Sequence, residues 1–379
     1  MYPIFDCDGI QAANLVKRAY PNAFVIFPRQ ESDFGLNNET FDLIDKVEFD
    51  TLYLLDSGVT KVSMDNCAKL ADMGKQVIVI DHHPQEVDIK EYQNANLKIC
   101  SDKQHCTTSL VYELFLEQEL IKPDDRWAKI WTLVGIQGDM ATNKEKTPKS
   151  ANLFERLKQE NLQLSGQQLF WSARGGSTPY EILMMVARYW NTPRRLAHES
   201  GAYVGLRACN EIEVFGDLFI VMKPLEEWDE ISQAVLSSTY LIVKWQREYL
   251  ERRSDVFKAI QFFNFDLCSI SVINHRWDIG GYIAQIKSEE LKKAAFVINT
   301  GMVGGWKITA RNVDTTLIKL HVGEVFNTAR ELSEGKVAGG GHEFASGAGS
   351  TVRNLSYIIA IILEAVKQVK AKEVGIMYG

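Results

Sequence analysis

The chain has 379 residues, 46% apolar and 24% charged, which is enough for two domains with cores of their own. Its net charge of −7 excludes a global basic field of the kind that holds long duplex DNA, so any nucleic-acid contact must be local. Six cysteines without a CxxC pair, and a start without a signal peptide, imply reduced thiols in a cytoplasmic protein. The longest apolar stretch, residues 357–366, is too short to span a membrane.

Residues 2–5 read as a short strand, followed by Asp6-Cys7-Asp8-Gly9 and a helix over 10–20 with Ala12, Ala13, Leu15, Val16 and Ala19 on its core face. On extended backbone Asp6 and Asp8 fall on one side, where two repelling carboxylates invite a cation. As a bare pattern, Asp8 is equally a helix cap. Residues 23–27 predict a second strand and 29–40 a polar loop. Residues 51–55 form a strand that stops at Asp56, and Ser57-Gly58 turns the chain. A helix over 66–73, closed by Gly74, leads to the apolar run 77–80. That run reads as a buried parallel strand and ends in Asp81-His82-His83-Pro84, where the proline forces a turn. Strand, acid, helix, strand, acid is the βαβ rhythm of an α/β fold, with carboxylates gathered at one sheet edge. A connector then precedes Thr107-Thr108-Ser109 and a helix over 110–118. The apolar segment 127–136 ends at Gly138-Asp139, again an acid closing a buried element.

Residues 150–195 look helical, interrupted by Arg174-Gly175-Gly176-Ser177, a loop with one arginine that could cradle phosphate but reads more simply as a connection. Residues 204–224 suggest a strand or two, and 228–258 one long helix. Strand-like runs at 267–273, 295–298 and 306–310 surround a helix near 282–291, and helices follow near 320–332 and 355–372. Between the last two lies Gly339-Gly340-Gly341-His342. Consecutive glycines let backbone N–H groups converge on an anion, and His342 adds a directed donor. His105, His275 and His321 read as structural.

The Asp-His-His motif together with the Gly-Gly-Gly-His cluster resembles the DHH–DHHA1 phosphoesterases over nearly the whole chain. The family's motifs are similar here to residues 5–9, to Asp56, to Asp81-His82-His83 and to Gly138-Asp139. The resemblance implies an α/β parallel-sheet DHH domain (1–195), a connector with a long helix (196–258) and a smaller α/β DHHA1 domain (259–379), with an active-site cleft between the domains. It further implies that Asp6, Asp8, Asp56, His82 and Asp139 ligate two Mn²⁺ ions, Mg²⁺ being the alternative, with Asp56 bridging and Asp81 and His83 orienting ligands and phosphate. Carboxylates with one imidazole agree with that choice of ion. In the second domain Arg311, in Thr309-Ala310-Arg311, and Gly339, Gly340, Gly341 and His342 would bind substrate. Arg311 offers a planar fork for phosphate, or is only an edge-strand surface charge. One departure is Ile4, where many members carry a metal-binding acid or histidine, so one ion is expected to be held more weakly.

Manganese pyrophosphatases of the family carry a different second domain, its large single-strand DNA exonucleases extra domains, and its membrane-bound cyclic-dinucleotide phosphodiesterases transmembrane segments. The expectation is therefore a phosphodiesterase or exoribonuclease acting on very short oligonucleotides or linear dinucleotides such as pGpG, as a homodimer by family habit. Cyclic dinucleotides and pAp are the nearest alternative substrates, and a catalytically inactive nucleic-acid-binding relative is the alternative of another class.

Overall fold

A computed structural model describes residues 2–3, 6–27, 35–85, 87–161, 179–257, 260–275, 278–302, 305–313, 320–341 and 343–373. Ile4, His342 and the Arg174–Ser177 loop lie outside the described residues. The chain divides into two compact units, Met1–Glu248 and Tyr249–Gly379.

The first unit is built on a parallel sheet in the order β1-β2-β3-β4: Tyr2–Pro3, Thr51–Leu55, Gln76–Asp81 and Leu97–Ser101. Side chains alternate along β2 and β3 as extended backbone requires. Leu52, Leu54, Val77 and Val79 enter one core with helices α2 (Asn38–Ile44) and α3 (Lys61–Asp72). Leu55 and Ile80 enter the other, with α1 (Cys7–Ala19), α4 (Thr107–Glu117) and α5 (Arg126–Gly138). Helices α6 (Pro148–Asn161) and α7 (Pro179–Phe215) complete that second layer.

Several expected elements differ. Residues 23–27 join no sheet, because a side chain takes their backbone groups: Tyr203 Oη donates to the Val25 carbonyl at 3.2 Å and accepts the Phe27 N–H at 3.3 Å. Part of the expected polar loop is α2, started by the Asn37 cap on the Thr40 N–H. The connector after the Asp-His-His motif contains β4. Residues 204–215 are helical, since Leu206, Cys209 and Ile212 recur at helical spacing on a buried face that overrides the β preference of Val204 and Val214. The long helix expected over 228–258 is two, α8 (Glu230–Val235) and α9 (Ser237–Phe257), broken at Leu236.

The second unit is a mixed sheet in the order β5-β6-β7-β8-β10-β9, where β5 is Gln261–Asn264, β6 Cys268–Ile273, β7 Ala294–Asn299, β8 Trp306–Arg311, β9 Val337–Gly341 and β10 Ala345–Ser350. Only β6 and β7 are parallel. Its separate core is formed with α11 (Val322–Leu332) and α12 (Leu355–Glu373), and α10 (Gly280–Leu291) also packs on the sheet. The fold is α/β throughout.

Two expectations change here. The triple glycine is not a loop but the end of strand β9, hydrogen-bonded to β10. Its composition answers to close strand approach, because a Cβ on Gly339 would lie 2.1 Å from the Gly347 carbonyl oxygen. Arg311 ends β8, an interior strand between β7 and β10, so it is not an edge-strand charge.

Candidate metal centre

Strands β2 and β3 end side by side. Leu55 pairs with Ile80, and the next residues are Asp56 and Asp81. Burial of Leu55 and Ile80 in the same core pins this register, since a one-residue slip of either strand would turn that strand's side chains to the other face. Asp56 then bends into the left-handed region with φ of 54°, while its N–H still donates to the Ile80 carbonyl at 3.0 Å. A buried acid in a strained conformation at a strand end is a functional signature.

Asp81 is committed to holding its neighbours. Its carboxylate accepts the Gly58 N–H at 3.2 Å and the His83 N–H at 3.1 Å, and lies 2.9 Å from His83 Nδ1. The turn after β2 and the turn after β3 are thus tied to one side chain.

Asp6 and Asp8 do not share an extended segment. Asp6 is the N-cap of α1 and accepts the Gly9 N–H at 3.1 Å, and Asp8 sits in that helix's first turn. The Asp8 carboxylate instead reaches the start of α4, where it accepts the Thr107 N–H at 2.8 Å and the Thr108 N–H at 2.9 Å. Cys106, the N-cap of α4, makes no side-chain cap, so Asp8 satisfies amides the helix itself leaves open. Thr107 Oγ1 also donates to Asp56 Oδ1 at 2.9 Å, and Thr108 Oγ1 donates to the Asp8 carbonyl at 2.8 Å. Neither threonine carries a role in the sequence reading.

Asp139 is the C-cap of α5. The helix can come this close to α1 because Gly138 has no side chain: a Cβ there would lie 2.5 Å from Cys7 Sγ. Asn191 of α7 locks the junction, accepting the Cys7 N–H at 3.0 Å and donating to the Gly138 carbonyl at 3.4 Å. It is a third residue the sequence did not flag.

His82 is the hub. Its Nε2 stands 3.3 Å from Asp56 Oδ1 and 3.8 Å from Asp8 Oδ2, and its Nδ1 stands 3.8 Å from Asp139 Oδ2. Two overlapping triads, Asp8–His82–Asp139 and Asp56–His82–His83, each bring their ligand atoms within 4.8 Å of one another. Asp6, bound to its own helix, belongs to neither among the described residues, and nor does Asp81.

The electrostatics are those of a site built for positive charge. Burial, and then neighbouring acids, hold the carboxyls of Asp8 and Asp56 above their usual range and push Asp139 up to about 7. Burial alone would lower His82, but Asp139 and Asp8 outweigh it and raise it. His83 rises to about 9 against its own burial because Asp81 faces it, and the His83 cation in turn takes Asp81 down to about 2 despite burial. Oxygen donors with imidazole and no thiolate suit Mn²⁺ or Mg²⁺, and a divalent cation would relieve the repulsion among the acids.

In the second unit, Arg311 pairs with Ala345 while the next residue, Ser346, pairs with Gly341, so Arg311 and the glycine strand meet at one end of the sheet. The guanidinium donates through Nη1 to the Ala310 carbonyl at 2.8 Å. His275 donates its N–H to Asn299 Oδ1 at 3.0 Å, and His321 caps α11 by accepting the Glu324 N–H at 3.1 Å.

Residues 3–136 match the DHH family, N-terminal domain, and residues 267–368 match the DHHA1 domain. The chain belongs to the DHH–DHHA1 phosphoesterase family. No curated protein matches it. Among solved structures, this DHH–DHHA1 chain is similar to a DHH-domain protein described as a member of the s1p family of ribosomal proteins, with 14% identity and a TM-score of 0.64, covering 98% of this chain and 86% of that one. It is also similar to RecJ from Thermus thermophilus in complex with Mn²⁺, with 14% identity and a TM-score of 0.66, covering 98% of this chain and 51% of that one. The DHH–DHHA1 chain thus spans about half the length of RecJ. CDC45 from Entamoeba histolytica shares the fold at 9% identity and a TM-score of 0.50, covering 97% of this chain and 94% of that one. Among the described residues, no helix is long and apolar enough to cross a membrane.

Proposed function

We propose that this chain is a Mn²⁺-dependent phosphodiesterase that hydrolyses very short oligonucleotides, or linear dinucleotides such as pGpG, to mononucleotides in the manner of a nano-RNase. The observation that carries the reading is the pair of carboxylate–imidazole triads sharing His82. In this reading Asp6, Asp8, Asp56, His82 and Asp139 hold two ions, with Asp56 between them. When bound, such ions acidify a water and neutralise charge on the scissile phosphate. Asp81, 2.9 Å from His83 Nδ1, holds that ring in place beside Asp56, where it would orient phosphate. The protein's own hydrogen bonds, from Thr107 and Thr108, hold Asp8 and Asp56 in place before any ion arrives.

In this reading residues 1–195 are the catalytic domain, 196–258 a connector that packs largely into the same core, and 259–379 the substrate-binding domain, with Arg311, Gly339, Gly340, Gly341 and His342 as its binding residues. The RecJ of similar fold, described in complex with Mn²⁺ and with Mg²⁺, supports a divalent ion of this kind. The net charge of −7 supports a substrate short enough to need only local contacts.

A product assay with Mn²⁺ tests this, using 5′-labelled RNAs of two, three, five and ten nucleotides together with pAp and a cyclic dinucleotide. The expected result is fast cleavage of the dinucleotide with a steep fall by ten. Preferred cleavage of pAp or of the cyclic dinucleotide overturns the substrate. Absence of cleavage with the metal bound overturns the activity and leaves an inactive nucleic-acid-binding relative.

A further inference from the structure

The grip of Thr107 and Thr108 on the centre requires that the start of α4 be held still, and a buried polar chain leads away from it. Lys149 and Ser150, at the start of α6, both donate their N–H groups to the Gln104 carbonyl at 3.2 Å. Ser150 Oγ accepts the Cys106 N–H at 2.7 Å and lies 2.6 Å from Ser109 Oγ. Ser109 Oγ lies 3.0 Å from His105 Nδ1. On the far side of the ring, Nε2 faces Glu113 Oε2 at 3.5 Å and Asp102 Oδ2 at 4.0 Å. His105, Ser109 and Ser150 are all buried.

His105 is neutral near pH 7, because burial takes it down to about 4. The Cys106 N–H donates to Ser150 Oγ, and the Cys106 carbonyl accepts from Ser109 Oγ at 2.8 Å. The two serine hydroxyls and the His105 ring complete the chain, an arrangement in which each bond polarises the next. Both backbone polar groups of Cys106, the residue that immediately precedes Thr107, are thereby held.

We propose that the Ser150–Ser109–His105 chain is a positioning system for the metal centre, acting through the start of α4. It fixes residues 105–108 so that the two threonine amides meet Asp8 and the Thr107 hydroxyl meets Asp56. None of the three residues touches an expected ligand, so they bind no ion themselves. The inference rests on the two-metal reading above.

The test is titration of the metal-free full chain with Mn²⁺, followed calorimetrically, for wild type, Ser150→Ala and Ser150→Thr. Loss of a direct outer partner of metal ligands weakens metal affinity roughly 10- to 100-fold, and Ser150→Ala, one step further out, is expected to weaken Mn²⁺ binding by up to about tenfold. Ser150→Thr, which keeps the hydroxyl, is expected to bind like wild type. Ile362→Val, in the core of the other unit, controls for lost stability and is expected to lower Tm without changing Mn²⁺ affinity. If Ser150→Ala fails to fold, Ser109→Ala interrupts the same chain and is read by the same titration. A Ser150→Ala chain with lowered Tm but wild-type Mn²⁺ affinity overturns the positioning role alone. A wild-type chain that takes up no Mn²⁺ overturns both this role and the two-metal reading.

Discussion

His82 presents its Nδ1 edge to Asp139 at 3.8 Å and its other nitrogen to Asp56 and Asp8. An imidazole with acid on both edges is stabilised with both nitrogens protonated, and the raised proton affinity of His82 expresses this. Metal ligation requires one of those nitrogens bare. A cation arriving at this centre must therefore displace protons, and the metal-free and metal-bound states differ in charge by less than the ions carry.

Asp139→Asn separates the stability of the centre from its function. Removing a negative charge that burial, and then Asp8 and Asp6, disfavour outweighs the lost attraction to His82, so the metal-free variant is expected to melt about 2–4 °C higher at pH 8, the shift of roughly 1 kcal/mol in a unit of this size. Its Mn²⁺ affinity is expected to fall beyond the roughly 10- to 100-fold that loss of an outer partner costs. Thermal melts and Mn²⁺ titration of the same preparation check both halves.

The pH dependence of the metal-free chain has a definite sign. Asp139 titrates near 7 when folded and near its ordinary 3.8 when unfolded, so between those values the folded chain holds the extra proton. Its contribution to stability accordingly declines as pH rises from about 4 to about 7. The Asp81–His83 pair acts at the extremes. The His83 part is complete below 6.5 and lost as pH rises through about 9, and the Asp81 part is complete above 3.8 and lost as pH falls through about 2. Mn²⁺ binding is expected to strengthen with rising pH by roughly tenfold per pH unit for each proton displaced, the Asp139 proton being lost near pH 7. Calorimetric titration in buffers of different ionisation enthalpy counts those protons directly.

Thr107→Val removes one hydroxyl and almost no volume. The Asp56 carboxylate loses its 2.9 Å donor while the Thr107 N–H remains for Asp8. Roughly tenfold weaker Mn²⁺ binding is expected, at the lower end of what outer partners contribute. Unchanged affinity would remove Thr107 from the centre's support.

The glycines of β9 are not equivalent. Alanine at Gly339 overlaps the β10 backbone and is expected to destabilise the second unit by about 2–3 kcal/mol. At Gly340 the nearest atom to a new Cβ is Asn327 Oδ1 at 3.7 Å, and the cost should stay within about 0.5 kcal/mol. Urea unfolding compares the two, and Mn²⁺ affinity in the first unit should be indifferent to both.

The sequence was most legible where the signal is local. Strands β2 and β3, the acids at their ends and the Asp-His-His triplet are read from runs of neighbouring residues, and the register puts Asp56 and Asp81 where an α/β sheet places its chemistry. Asp8 was read on the wrong backbone, because the helix that contains it is started by Asp6 one turn earlier than the apolar pattern shows. Its partners Thr107 and Thr108 lie 99 and 100 residues away, and Asn191 lies 184 residues from Cys7, separations at which no periodicity or propensity operates. The strand that ends in the triple glycine was hidden for a related reason: the need for glycine at 339 and 341 comes from strand β10, which follows it in the chain.

The left-handed turn at Asp56 constrains the lineage of this chain as well as its chemistry. Apart from glycine, asparagine and aspartate are the residues that enter that conformation most readily, so drift at position 56 has few exits that spare the fold. Of these three, aspartate alone carries a carboxylate. A descendant that abandoned catalysis could slip to asparagine or glycine here with its architecture intact, and position 56 would be the first place to look for that history.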